Sequence, residues 1–333
     1  MTIPVDLHEA LTIEDLRVGI GRGRDRVELL DGISLSLRRG EILALVGESG
    51  SGKSMTALAA ARLLPPGAEL GARRLVVGGA DVASAGGAAL DRIRGKSFGF
   101  VFQEPMTSLN PLLTIGEQIA EPIRLHLHLD RAATRSRVID LLGAVGFPAA
   151  STRLDDYPHQ LSGGQRQRAM IAMAIACNPP FLFADEPTTA LDVTTQAQVL
   201  TLLRSLCRER GMGMLLITHD LGVVSAVADR VAVMYAGRIV ETGPAAAVLA
   251  APHHPYADAL RRALPRVSAK VARLEALEGQ PPSPRAFPTG CRFHPRCARA
   301  TARCRTSVPA LVPSGLRTVA CFNPIAETKE TAP

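Results

Sequence analysis

The residues Gly47-Glu48-Ser49-Gly50-Ser51-Gly52-Lys53-Ser54 follow the pattern G-x-x-x-x-G-K-[ST]. The glycines let successive backbone N–H groups turn inward around phosphate oxygens, and a helix starting there adds its positive end. Lys53 is then placed for the β- and γ-phosphates of a nucleotide, and the Ser54 hydroxyl for Mg²⁺. A second chemical feature is Asp185-Glu186, which closes the apolar run Phe181–Ala184. Adjacent carboxylates repel each other unless a cation or donor offsets the repulsion. Asp185 therefore reads as a Mg²⁺ ligand acting through water, and Glu186 as the group that polarises an attacking water. The stretch Leu161-Ser162-Gly163-Gly164-Gln165 is another anion-binding helix start, with Ser162 as N-cap and two glycines exposing N–H groups.

Four cysteines, Cys291, Cys297, Cys304 and Cys321, fall within 31 residues of a chain that has only two others. Four thiolates can ligate a [4Fe–4S] cluster or tetrahedral Zn²⁺. Structural zinc sites favour C-x2–4-C pairs, and none is present, whereas wider gaps suit a cluster with separated iron corners. Free or disulfide-bonded cysteines are the third reading. Cys177 and Cys207 sit among alanines and leucines and read as small buried hydrophobes.

These residues need elements that hold them. Ile42–Val46, just before the glycine-rich loop, is a continuous apolar run, as expected of a strand buried on both faces. An Ala-rich helix from Lys53 to Arg62 follows and is stopped by Pro65-Pro66-Gly67. Residues 11–46 begin with short alternating runs that predict antiparallel strands. Phe98–Phe102, Phe181–Ala184 and Met214–Thr218 read as further core strands, and 194–210 as a helix. Residues 115–177 read as mostly helical, with Ile115, Ile119 and Ile123 on one face and Val138, Leu141, Leu142 and Val145 on another. The expected fold is α/β: a mainly parallel core, an antiparallel β subdomain and an inserted helical subdomain at about 112–178.

The formal charge of +7 at first suggests nucleic acid or anionic lipid. From Pro252 onward the chain has 13 Lys/Arg against 5 Asp/Glu, and half of the 24 prolines. The first 251 residues are therefore near neutral. The expected division is 10–251 for the nucleotide-binding body and 252–333 for a small Cys/Pro-rich C-terminal domain. Aromatic residues are only 4%, and Trp is absent, which argues against a base-stacking nucleic-acid surface. No segment reaches the roughly 18 to 20 apolar residues of a bilayer span. The N-terminus has no basic leader, so a cytoplasmic setting is expected.

The order GESGSGKS, VFQEP, LSGGQRQR, FLFADEPTTALD and ITHD resembles the ABC-type ATPase cassette over about residues 40–222. That resemblance implies that Gly47, Ser49, Gly50, Ser51, Gly52, Lys53, Ser54 and Met55 hold ATP. It implies that Gln103 contacts Mg²⁺ and couples to membrane subunits. It also implies that Ser162, Gly163, Gly164 and Gln165 close on ATP bound by a second ATPase subunit. Asp192 corresponds to the D-loop aspartate, and His219 to the switch histidine at the γ-phosphate. Ile93-Arg94-Gly95, VFQEPMTSLNPLLTIGEQI and GCRFHPRC are similar to the ATPases of dipeptide and oligopeptide importers. This implies a heterodimer of ATPases, two membrane permease subunits, an extracytoplasmic solute-binding protein, and a peripheral place on the cytoplasmic face of the inner membrane. The subfamily resemblance also favours the [4Fe–4S] cluster. Related importers carry nickel or oligosaccharides. DNA-repair and translation ATPases share the cassette, but usually with two cassettes, a coiled coil or a long insertion, so no nucleic-acid partner is expected. In one respect the sequence departs from the family. No Phe, Tyr or Trp stands between Asp6 and Glu41 to stack on adenine, so Val27 or Ile20 is the expected apolar contact.

Overall fold

The structure is a computed structural model that describes residues 9–189, 191–263 and 277–325. The chain opens with β1 (Glu9–Ile20) and β2 (Val27–Arg38), paired antiparallel. Leu11, Ile13, Leu16 and Val18 of β1 are buried. β3 (Ile42–Val46) is buried at every position, because it lies inside a sheet covered on both faces. α1 (Lys53–Ala60) leaves the glycine-rich loop and ends two residues before the expected Arg62, which takes φ +56° to turn the chain. β4 (Ala68–Gly71), β5 (Arg74–Val77) and β6 (Ala80–Asp81) complete the antiparallel sheet, in the order β2-β1-β5-β6 with β4 also on β1.

After α2 (Gly87–Ile93), β7 (Gly99–Val101) forms one edge of the second sheet. The helical subdomain follows: α3 (Pro105–Ser108), α4 (Ile115–Leu127), α5 (Arg131–Ala144) and α6 (Gly163–Ala174). A capping box between Thr114 and Glu117 starts α4, and Asp130 caps α5. The expected apolar faces pack together: Ile115, Ile119, Ile123, Val138, Leu141, Leu142 and Val145 are all buried in one core. β8 (Phe181–Asp185), α7 (Val193–Arg210), β9 (Gly213–Ile217), α8 (Leu221–Val227) and β10 (Arg230–Tyr235) return the chain to the core. β3, β7, β8, β9 and β10 run parallel, and this parallel pairing sets the loop after β3 beside the ends of β8 and β9.

β11 (Arg238–Pro244), α9 (Ala245–Ala250), α10 (Pro255–Arg262), α11 (Ala302–Thr306), β12 (Val312–Ser314) and β13 (Arg317–Val319) complete the chain. The described part of 252–333 does not stand apart from the body. β12 and β13 extend the core sheet, with β13 pairing on β11 at Glu241↔Val319 and Thr242↔Thr318. Tyr256 and Phe293 pack on Tyr235 of β10, at ring centroid distances of 4.6 and 5.2 Å. The fully buried Glu241 carboxylate accepts hydrogen bonds from the backbone N–H groups of His253 and His254, fixing the turn into α10. A segment too poor in apolar residues for its own core thus borrows the core of the preceding body. Among the described residues, no helix is long and apolar enough to cross a membrane.

Candidate active site

The loop between β3 and α1 needs glycine for packing reasons. A Cβ on Gly47 would lie 2.2 Å from the Met234 carbonyl oxygen of β10, and Gly52 has φ +104°. Lys53 is buried, and its Nζ donates to the Gly47 and Glu48 carbonyls at 2.8 and 3.0 Å. Burial lowers its pKa, while Glu186, Asp185 and Glu48 oppose that shift. The ammonium is therefore folded back on its own loop.

Ser54 Oγ donates to Asp185 Oδ1 at 3.0 Å, uniting the ends of the loop and of β8. Burial raises the Asp185 pKa and Glu186 adds to it, while the Ser54 hydrogen bond and Lys53 oppose it. A buried carboxylate beside a hydroxyl, with a second carboxylate adjacent, is a donor set that fits Mg²⁺. Glu186 has φ +43°, and its N–H donates to Ile217 O at 3.0 Å. Its carboxylate is held from three sides: Thr189 Oγ1 at 2.9 Å, Gln103 Nε2 at 3.1 Å and His219 Nδ1 at 3.1 Å. Gln103 comes from the chain after β7 and His219 from the chain after β9, so the parallel strand order brings them together.

A cleft of about 320 Å³ lies over this centre, lined by Ser49, Gly50, Gly52, Lys53, Ser54, Met55, Gln103 and Glu186. Gly47, Asp185 and His219 do not line it but hydrogen-bond to lining residues Lys53, Ser54 and Glu186, and Ser51 does not line it. The other expected contacts do not line it. Ser162 and Gln165 form a capping box at the start of α6, and Gly163 and Gly164 lie beside Leu191 and Thr195. Asp192 caps α7 through Thr195, which holds its carboxyl below the usual range. None of these groups is among the residues that line the cleft of their own chain. Val27 and Ile20 do not line it either. They pair with each other at the end of the β1–β2 hairpin, and Leu29 is the lining residue of β2. The remaining lining residues, Pro284 and Phe287, come from the C-terminal segment. Nothing in the local sequence pattern marks them.

The segment is tied to the nucleotide loop itself. Arg296 makes a two-pronged ion pair with Glu48 at 2.7 and 3.0 Å, and Glu48 N–H donates to Tyr256 Oη at 2.8 Å. Cys291, Cys297, Cys304 and Cys321 line one small cavity with Phe293 and Phe322, and all are free thiols. Burial raises the pKa of Cys291, Cys297 and Cys321, the last to about 11. Backbone N–H groups of Thr301 and Asn323 reach Cys304 Sγ and Cys321 Sγ at 3.5 and 3.4 Å. Among the described residues, no three His, Cys, Asp or Glu side chains converge as they would around a single metal ion. The expected [4Fe–4S] site and its Zn²⁺ alternative therefore both lack a converged ligand set among the described residues.

A parallel sheet with this loop after β3, paired carboxylates ending β8 and a helical insertion between β7 and β8 defines an ATPase of the cassette class. The family model for ABC transporters matches residues 30–189, and that for the oligopeptide/dipeptide transporter C-terminal region matches 240–304. The oligopeptide transport ATP-binding protein AppD of Bacillus subtilis is 45% identical over 315 residues, covering 94% of this chain and 96% of that one. The dipeptide transport ATP-binding protein DppD of Escherichia coli is 47% identical over 301 residues, covering 90% and 92%. Among solved structures, the ATP-binding cassette MJ0796, a dimer bound to ADP and Pi, aligns with TM-score 0.62 at 28% identity, covering 71% of this chain and 98% of that one. The chain belongs to the ABC transporter ATP-binding family, with the C-terminal region of its oligopeptide/dipeptide group, and is an ATPase.

Proposed function

We propose that this protein hydrolyses ATP to energise import of di- or oligopeptides. The observation that carries the reading is the joining of an ATPase centre to a segment matching the oligopeptide/dipeptide transporter C-terminal region. In this reading residues 10–251 are the ATPase domain and 252–333 the importer extension. Lys53 holds the β- and γ-phosphates, with the loop N–H groups around them. Ser54, Asp185 and Gln103 hold Mg²⁺, which offsets phosphate charge when bound. Glu186 accepts a proton from water as the water oxygen bonds to the γ-phosphorus and the bond to the ADP oxygen breaks. His219 contacts the γ-phosphate. Phosphoryl transfer needs little covalent help, so positioning and charge carry the rate.

Ser162, Gly163, Gly164, Gln165 and Asp192 act on ATP held by a second ATPase subunit, in a heterodimer. This is supported by their position outside their own cleft. Two permease subunits dock beside Gln103, where Phe102, Met106, Leu112 and Leu113 leave apolar surface exposed. A solute-binding protein delivers peptide from outside, and the ATPase rests on the cytoplasmic face of the inner membrane. The four cysteines hold a [4Fe–4S] cluster, a reading supported by their shared cavity, their sulfur-directed N–H groups and their spread. The test is Glu186→Gln. Hydrolysis should fall about 10²- to 10⁴-fold while ATP binding persists, and unchanged turnover would reject Glu186 as the base.

A further inference from the structure

The cleft has two walls of different origin. One is the loop and start of α1. The other is Leu29 of β2 with Pro284 and Phe287 of the C-terminal segment. The short turn Pro284–Ala286 packs against β2, which brings Phe287 to the end of the cleft bordered by that strand. The Arg292 guanidinium lies over the Phe287 ring, its central carbon 3.9 Å from the ring centroid. Arg292 is itself fixed. It donates to the Ala236 carbonyl and to Asp31 Oδ2 of β2 at 2.9 Å, and its side chain is only 10% exposed. One ring is thus clamped at the cleft by a cation locked to the ATPase body.

We infer that Phe287 is the base-stacking residue of this ATPase, supplied in cis by the C-terminal segment to the purine of the bound nucleotide. The inference rests on the reading that the cleft binds ATP. The phosphates end on Lys53 and Ser54, so the base must extend along the cleft away from them. Between residues 9 and 41 the chain has no Phe, Tyr or Trp, so the β1–β2 hairpin cannot provide a ring. Among the described residues, Phe287 is the one aromatic ring that lines the cleft. A flat, apolar, half-buried ring suits the π-face of a purine, and stacking on an aromatic side chain tolerates any base that presents such a face. The C-terminal segment thereby becomes part of the nucleotide site, and its detachment from β2 would open the base end of the cleft.

The absence of tryptophan makes the test direct. In full-length Phe287→Trp, the introduced indole is the sole one. Its emission should change saturably with ATP or ADP, at concentrations matching the Kd from calorimetry. Inorganic tripolyphosphate, which has no base, should bind by calorimetry and leave the emission unchanged. Phe287→Ala and Phe287→Leu should weaken ATP binding by about 5- to 150-fold, the range for one stacked base, and leave tripolyphosphate affinity unchanged. That unchanged affinity also reports an intact fold. ATP binding without any emission change, or full ATP affinity in Phe287→Leu, overturns the inference while leaving the ATP site standing. Failure of the unsubstituted protein to bind ATP or tripolyphosphate overturns the ATP-site reading itself.

Discussion

Replacing Arg296 by Met tests how firmly the C-terminal segment is bolted to the nucleotide loop. The Arg296 side chain is 6% exposed and that of Glu48 25%. Its guanidinium meets both Glu48 oxygens and also donates to Glu278 O at 2.9 Å, Gly279 O at 3.2 Å and Tyr235 Oη at 3.3 Å. Met keeps the stem and removes every donor. Breaking a buried ion pair from one side destabilises by about 3–5 kcal/mol, and the partial exposure of Glu48 points to about 3. Glu48→Gln is milder. Its amide oxygen still accepts one bond, and Arg296 keeps its carbonyls and Tyr235, so about 1 kcal/mol is expected. The double variant should lose little more than Arg296→Met alone, because the pair is already broken. Urea unfolding of the full-length protein, without nucleotide, measures all three. Equal losses in the two single variants, or a double loss equal to their sum, would refute the bolt.

Asp31 sits among Arg17, Arg238 and Arg292. Burial alone would raise its pKa, but the Arg238 hydrogen bond and the three positive charges outweigh burial and lower it. A lowered folded pKa gives stability that is complete above the ordinary carboxylate value and lost as pH falls through the folded value. Asp31→Asn should therefore flatten the acid limb of Tm against pH below about pH 4, and an unchanged limb would count against this. For the cysteine cavity, anaerobically purified protein should contain iron and absorb visibly. Cys304→Ser should remove both, and Cys207→Ser, far into the α7 core, should remove neither. A colourless parent protein would end the cluster reading.

Much of the architecture was legible because burial leaves a mark on local pattern. Ile42–Val46 is apolar at every position because both faces of β3 are covered, and the structure buries all five residues. The isoleucines of α4 at four-residue spacing met the core together. Ends were less legible: the strand expected at Phe98–Phe102 spans only Gly99–Val101. The strands β10 to β13 went unread, and so did the fusion of the tail with the core sheet, because short edge pairings depend on distant partners.

The same division holds for the site. In the proposed reading, Lys53, Ser54, Asp185 and Glu186 are legible because phosphate and metal chemistry demands fixed residue types beside a buried strand. The convergence of Gln103, Thr189 and His219 on Glu186 depends on the order of parallel strands. The missing aromatic ring was visible as a gap before the loop, but its replacement was not. Phe287 lies more than 230 residues beyond Lys53, and only packing of Pro284–Ala286 on β2 brings it to the cleft. Sequence alone determined the ATPase class, since a few contiguous motifs mark it. Tertiary structure decided what closes the site, because Arg292 and Arg296 hold the tail there through Asp31 and Glu48, partners no local pattern can name.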